Sequence, residues 1–243
     1  MINEETRRKL REMGLESMIT AIDFQDTDTA YFSLPFDERI KLVVDYTYQE
    51  KYNDKVKRLF KQAKFRIPSA ELNDIYYPER GLDRPLLLEL GTCQFIRNNS
   101  SIIFQGFTGS GKSYLACCIG KQGIRTRYIR VPDLLMLRDE AAAIRHGTVK
   151  FLNNFSSYSL LILDEWLFDD MSDEDLHFVF ELIERRYDAS STVFCTQYKL
   201  ENWHSRLGGG ILADSIMDRI VHRSVSAYAG NLNMREMLAT KKL

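Results

Sequence analysis

Cysteine and histidine are scarce in this chain, four of each in 243 residues, and their placement argues against two chemistries. Cys93, Cys117, Cys118 and Cys195 form no Cys-x-x-Cys pair and follow no secretory leader, so they read as reduced thiols and not as a disulfide framework. His146, His177, His204 and His222 are scattered, with no cysteine or acid at ligand spacing, which argues against a zinc centre. Long apolar runs are missing too, and the longest is far too short to span a bilayer. The polar, acidic opening Met1-Ile-Asn-Glu-Glu is wrong for a signal peptide. A cytoplasmic location is expected. Charge of one sign is also absent. A net charge of −1 creates no global field for nucleic acid, so any such contact must come from a local patch. There is no internal repeat and no low-complexity tract. What remains, 44% hydrophobic and 28% charged residues, is ordinary for a globular chain long enough for one α/β core and a small appendage.

The first third has helical periodicity. Residues 6–22 carry Leu10, Met13, Met18 and Ile22 among charges, a loose amphipathic stripe. A second helix is predicted after Pro35, with Ile40, Val43, Val44 and Thr47 on one face, running on until Pro68 stops it. Its second half, residues 51–66, sets Lys51, Lys55, Lys57, Arg58, Lys61, Lys64 and Arg66 against a single acid, Asp54. Such a row can neutralise several phosphates of a duplex without reading sequence. Arg138, Arg145 and Lys150 form a weaker second basic candidate. Residues 69–84 read as a linker, and Leu86 to Ile96 as a helix ahead of the next domain. The expected division is residues 1–68, a small all-helical domain; 69–100, linker and helix; and 101–243, the core. From Ser101 strands and helices alternate, the pattern of an α/β, three-layer domain around a five-stranded parallel sheet with both faces covered. Strands are expected over 102–105, 126–131, 160–163, 192–196 and 224–229, with helices over 114–123 and 133–146. Ser172-Asp-Glu-Asp175 reads as a capping box opening another helix.

Gly106-Phe-Thr-Gly-Ser-Gly111-Lys112-Ser113 matches the phosphate-loop pattern G-x-x-x-x-G-K-[ST]. Backbone N–H groups of Gly106, Phe107, Thr108, Gly109, Ser110, Gly111, Lys112, Ser113 and Tyr114 are the expected nucleotide contacts, helped by the positive end of the helix that follows. Lys112 is expected to reach the β- and γ-phosphates. About fifty residues on, Leu160-Leu-Ile-Leu-Asp164-Glu165 ends a buried strand in two acids, a costly arrangement unless it serves a cation. Asp164 and Ser113 are the expected Mg²⁺ ligands, and Glu165 the base that polarises water. Gln197, at a strand end, is placed to touch the attacking water or the γ-phosphate. Arg219, with Arg223 as its rival, can project into a neighbour's site, and Arg235 can approach the γ-phosphate in its own chain.

With these residues in place the chain resembles the AAA+ group that contains IstB-type transposition helper ATPases and DnaC-type replicative helicase loaders. The resemblance covers nearly the whole length: Lys9-Leu-Arg-Glu-Met-Gly, Pro35-Phe-Asp-Glu-Arg-Ile, Arg80-Gly-Leu-Asp-Arg, Cys195-Thr-Gln-Tyr-Lys-Leu-Glu-Asn-Trp-His and Leu212-Ala-Asp-Ser-Ile-Met-Asp-Arg-Ile-Val-His. It implies that Gln197 is the sensor-1 residue, Arg219 the arginine finger acting in trans, and Arg235 the sensor-2 arginine. Two positions depart from the group: Leu167 stands where a glycine is common, and sensor 1 is Gln where Asn is commoner. Only 46 residues follow Gln197, which implies a core with a reduced or absent lid. The function it implies is an ATP-hydrolysing helper of transposition that oligomerises on duplex DNA with ATP at protomer interfaces, bends or remodels the DNA, and recruits a transposase. A helicase loader is the alternative. A small-molecule kinase would need an acceptor pocket and a closing lid, and neither is visible.

Overall fold

Local signals decide where each helix starts and stops. The computed structural model describes residues 2–122 and 124–240 and divides into two units, Met1–Arg58 and Leu59–Leu243. In the first, Asn3 caps α1 (Glu4–Glu12), its side chain accepting from the Thr6 N–H at 2.8 Å. Gly14, at φ +65°, then breaks the chain before α2 (Glu16–Thr27). The single helix expected over 6–22 is therefore two, joined by Arg7 donating to Asp23 at 2.8 Å. Helix α3 (Phe36–Ala63) starts directly after Pro35 and buries Val43 and Thr47. It crosses the division between the units and ends at Ala63, where Lys64 adopts φ +52°. Pro68 does not stop this helix; the left-handed turn at Lys64 does.

Residues 69–84, expected as a linker, carry short helical turns, and the helix expected over 86–96 is two. The segment holds a 3-10 turn (Leu72–Asp74), α4 (Tyr77–Arg80), α5 (Arg84–Gly91) and α6 (Gln94–Arg97). Then come β1 (Ser101–Gln105), α7 (Lys112–Gly120), β2 (Thr126–Arg130), α8 (Val131–Ala142) and α9 (Gly147–Ser156). They are followed by β3 (Leu160–Trp166), α10 (Asp173–Arg186) and β4 (Ser191–Thr196). A 3-10 turn (Leu200–Asn202), α11 (Trp203–Arg206), α12 (Gly210–Val221), β5 (Ser224–Tyr228) and α13 (Met234–Thr240) complete the order. The helix expected over 133–146 stops at Ala142, and α9, not foreseen, begins after His146 at φ +58°. The capping box forms: Ser172 Oγ accepts from the Asp175 N–H while the Asp175 carboxylate accepts from the Ser172 N–H.

The five strands are parallel in the order β2-β3-β4-β1-β5. Period-two alternation splits their side chains between two cores. Ile102, Phe104, Leu160, Ile162, Val193 and Cys195 pack on α7 and the 59–100 segment. Ile103, Leu161, Leu163 and Phe194 pack on α8, α9, α10 and α12. This is a helix–sheet–helix sandwich whose strands all end on one edge, the edge where ligands bind in open α/β sheets. Among the described residues no helix is long and apolar enough to cross a membrane.

Candidate nucleotide-binding site

The strand order brings the motifs together. The loop after β1, Gln197 just past β4 and the acids at the end of β3 come from three adjacent strands. They line one cavity of about 450 Å³, whose walls include Thr108, Gly109, Gly111, Lys112, Ser113, Tyr114, Asp164, Glu165, Gln197 and Arg235.

The loop needs its glycines. Gly109 and Gly111 sit at φ +87° and +93°, where a side chain is strained. A Cβ on Gly109 would also lie 2.3 Å from Asn233 Oδ1. Lys112 Nζ donates to the carbonyls of Gly106 at 2.6 Å and Phe107 at 2.9 Å, so the ammonium lies along the loop. Burial pulls the Lys112 pKa below its ordinary value, and the Arg235 charge lowers it further. Thr108 Oγ1 donates to Gln197 Oε1 at 2.8 Å, tying the loop to the strand-end amide. Tyr114 faces the 59–100 segment as well as the cavity: its hydroxyl accepts from the Glu71 N–H at 3.1 Å and donates to the Glu71 carbonyl at 3.3 Å.

Asp164 is 2% exposed and well supplied with donors. Ser113 Oγ donates to its Oδ2 at 2.6 Å, the Glu165 N–H to its Oδ1 at 3.0 Å, and the Tyr128 hydroxyl also donates to Oδ2. Burial and the neighbouring Asp164 charge push the Tyr128 phenol far up, so it remains a donor. A serine hydroxyl and a carboxylate this close are a hard-oxygen pair suited to Mg²⁺, which keeps several waters and takes few protein ligands. Glu165, at φ +59°, is held between two guanidiniums: Arg66 Nη1 lies 3.5 Å from Oε1 and Arg130 Nε 3.3 Å from Oε2. Arg66 also approaches Asp164 at 3.6 Å. Leu167, the departure from glycine, takes φ +60° and is buried, so this loop keeps the glycine conformation with a non-glycine residue.

Several residues stand where sequence alone did not put them. Arg66, counted in the basic row, lies past the end of α3 and belongs to this cavity. Lys64 also falls beyond the helix, whereas Lys51, Lys55, Lys57, Arg58 and Lys61 lie exposed on it. Arg138 is buried, ion-paired to Asp139 and, at 2.8 Å, to Asp175, and so leaves the second basic candidate. Arg219 pairs with Glu184, donates to the Ser215 carbonyl at 2.9 Å and covers the Phe180 ring. It lines a small depression with Asn99, Ser101 and Arg223, at the start of β1 and so at the opposite end of the strands from the phosphate loop. Arg223 pairs with Asp188 there. Tyr128 and Arg130 were not singled out; the cross-strand partner of Arg130 is Asp164, a pairing invisible before the strand order is known. Burial pushes the Cys93 and Cys117 thiols up to about 11 and Cys118 up to about 12, which disfavours the reactive thiolate.

Comparison with known proteins agrees with this geometry. The family described as IstB-like ATP binding protein matches residues 8–241. The chain is similar to the ATP-binding protein of insertion sequence IS1162 from Pseudomonas fluorescens, 33% identical over 81% of this chain and 87% of that one. It is also similar to an insertion sequence ATP-binding protein of Sinorhizobium fredii, 29% identical over 92% and 93%. Among solved structures, the DnaC helicase loader aligns with a TM-score of 0.55 at 24% identity, over 65% of this chain and 96% of that one. AMPPCP-bound DnaA from Aquifex aeolicus aligns at 0.55 and 19%, over 72% and 55%. Those two likenesses are of fold.

Proposed function

Because the chain belongs to the IstB-like ATP-binding proteins, an insertion-sequence ATPase family with an AAA+ core, we propose that it uses ATP to assemble on duplex DNA and to engage a transposase. The observation that carries the reading is the convergence of the phosphate loop, the Asp164-Glu165 pair and Gln197 at the carboxyl ends of three adjacent strands. The amides of residues 106–114 and Lys112 hold the phosphates. Ser113 and Asp164 would hold Mg²⁺, which when bound neutralises phosphate charge. Glu165 orients water once Arg66 and Arg130 release it, and Gln197, steered by Thr108, faces the terminal phosphate with Arg235. A second cavity of about 680 Å³, whose walls include Asp74, Ile75, Tyr76, Glu79 and Arg80, shares Gly111, Tyr114, Met234 and Leu238 with the first and would take the base. Helix α13 thus stands in for a lid. Arg219 faces away from its own loop, which suits a role in a neighbouring protomer's site.

DNA contact rests on Lys51, Lys55, Lys57, Arg58 and Lys61, exposed along α3. The expected outcome is an electrophoretic shift of duplex DNA that requires ATP. Its salt dependence should have a log–log slope of about −4.5 if each of these five cations neutralises one phosphate. Lys112→Ala should weaken ATP binding by roughly 100-fold and abolish the shift. ATP-independent binding would refute the coupling. Co-purification with a replicative helicase, and not with a transposase, would favour the loader reading.

A further inference from the structure

Arg80 closes helix α4 and is 2% exposed. A buried charge ordinarily has a partner of opposite sign, yet among the described residues no carboxylate pairs with this guanidinium. Its neighbours are the neutral side chains of Tyr77, Tyr114 and Cys118, and burial lowers its pKa from the ordinary value. Nη2 donates to Ser110 O at 2.6 Å and to Ala229 O at 2.8 Å, while Nε has no hydrogen-bond partner among the described residues. The surroundings are shaped around it. A Cβ on Gly111 would lie 2.7 Å from Nη2, and one on Gly230 would lie 2.8 Å from the Arg80 carbonyl. The Asn231 N–H donates to that same carbonyl at 3.1 Å.

We infer that Arg80 is a positioning residue for the phosphate loop and that its missing counter-ion is the phosphate of the bound nucleotide. Ser110 lies inside the loop. Holding its carbonyl on the guanidinium fixes that peptide's orientation and keeps this one acceptor from turning toward the anion. The same group ties the loop to the turn after β5, which leads into Arg235 and α13. The fixed positive charge behind the loop adds to Lys112 and the start of α7, so the anion site has three sources of positive potential where sequence motifs show two. The cost is a charge that no carboxylate among the described residues neutralises.

The inference rests on ATP binding at this loop, and the test separates the two. Affinities for ATP, ADP and AMP with magnesium are measured by calorimetry, and melting temperatures without nucleotide, for wild type, Arg80→Met and Arg80→Lys. Failure of the wild type to bind ATP would sink the site itself. With wild-type binding in place, Arg80→Met is expected to bind ATP about 10- to 100-fold more weakly, the range of one charge-assisted hydrogen bond. The loss should grade with phosphate charge, ATP over ADP over AMP, with most of the affinity restored in Arg80→Lys. ATP affinity within twofold of wild type, or an equal loss for all three nucleotides, overturns the inference. If Arg80→Met does not fold, Arg80→Gln against Arg80→Lys carries the comparison: both donate hydrogen bonds and only Lys is charged. Tenfold weaker binding by the Gln variant supports the inference, and equal binding by the two overturns it.

Discussion

Glu165 is the proposed base of the hydrolytic step, yet both its oxygens face guanidiniums, at 3.5 Å and 3.3 Å. Each contact is worth about 5 kcal/mol of Coulomb attraction at an effective dielectric of 20. Desolvation and side-chain ordering cancel most of it, because the Glu165 side chain is 27% exposed and those of Arg66 and Arg130 about 40%. About 1 kcal/mol of net hold per arginine remains. Arg130→Met keeps the stem and removes the charge, so the released form of Glu165 should become about fivefold more populated. The expected result is about fivefold faster hydrolysis at saturating ATP, read by phosphate release, with ATP affinity changed less than twofold. Arg130 also pairs with Asp133 at 3.2 Å, an exposed bond whose loss carries little energy. An unchanged or slower rate in a variant that binds ATP normally would refute the clamp.

Three further outcomes follow from local geometry. Ser172→Ala removes the capping box of α10 and should cost about 1 kcal/mol, a fall in melting temperature of about 2–4 °C by calorimetry. Cys117 and Cys118, pushed up to about 11 and 12, stay protonated through pH 9, so iodoacetamide at pH 8 should label them only after unfolding. Labelling at the rate of a free thiol in the native state would refute that. Arg186 is buried and donates to the carbonyls of Phe155, Ser156, Tyr158 and Ser191 and to Thr192 Oγ1. Arg186→Met strands these acceptors and should destabilise the core by about 3 kcal/mol or more in urea unfolding.

The motif residues were legible because their chemistry is local. A phosphate loop is a contiguous string, and two acids ending an apolar run are conspicuous in any order. The cross-chain geometry was not. That Thr108 touches Gln197, 89 residues away, depends on β4 lying beside β1, and no periodicity encodes strand order. Arg66 looked like one more cation in a helical row. The positive φ at Lys64 turns the chain toward the acids, and non-glycine residues adopt that conformation too seldom for it to be foreseen. The turn at residues 13–15 went unseen because apolar residues recur at helical spacing on both sides of it. Arg80 stood out only as the first residue of Arg80-Gly-Leu-Asp-Arg, with no role attached, since an arginine in a polar stretch reads as surface.

The placement of Arg219 at the far end of the strands from its own loop has a geometric consequence. A protomer that offered it to another's nucleotide would join unlike faces, donor to acceptor, and two copies cannot satisfy each other about a twofold axis. Growth by such a contact is directional. It closes only if the rotation per subunit divides the circle; otherwise it winds on as a helix with one unfinished ATP site at a terminus. The pitch of that winding would then fix the path available to any polymer threaded through it.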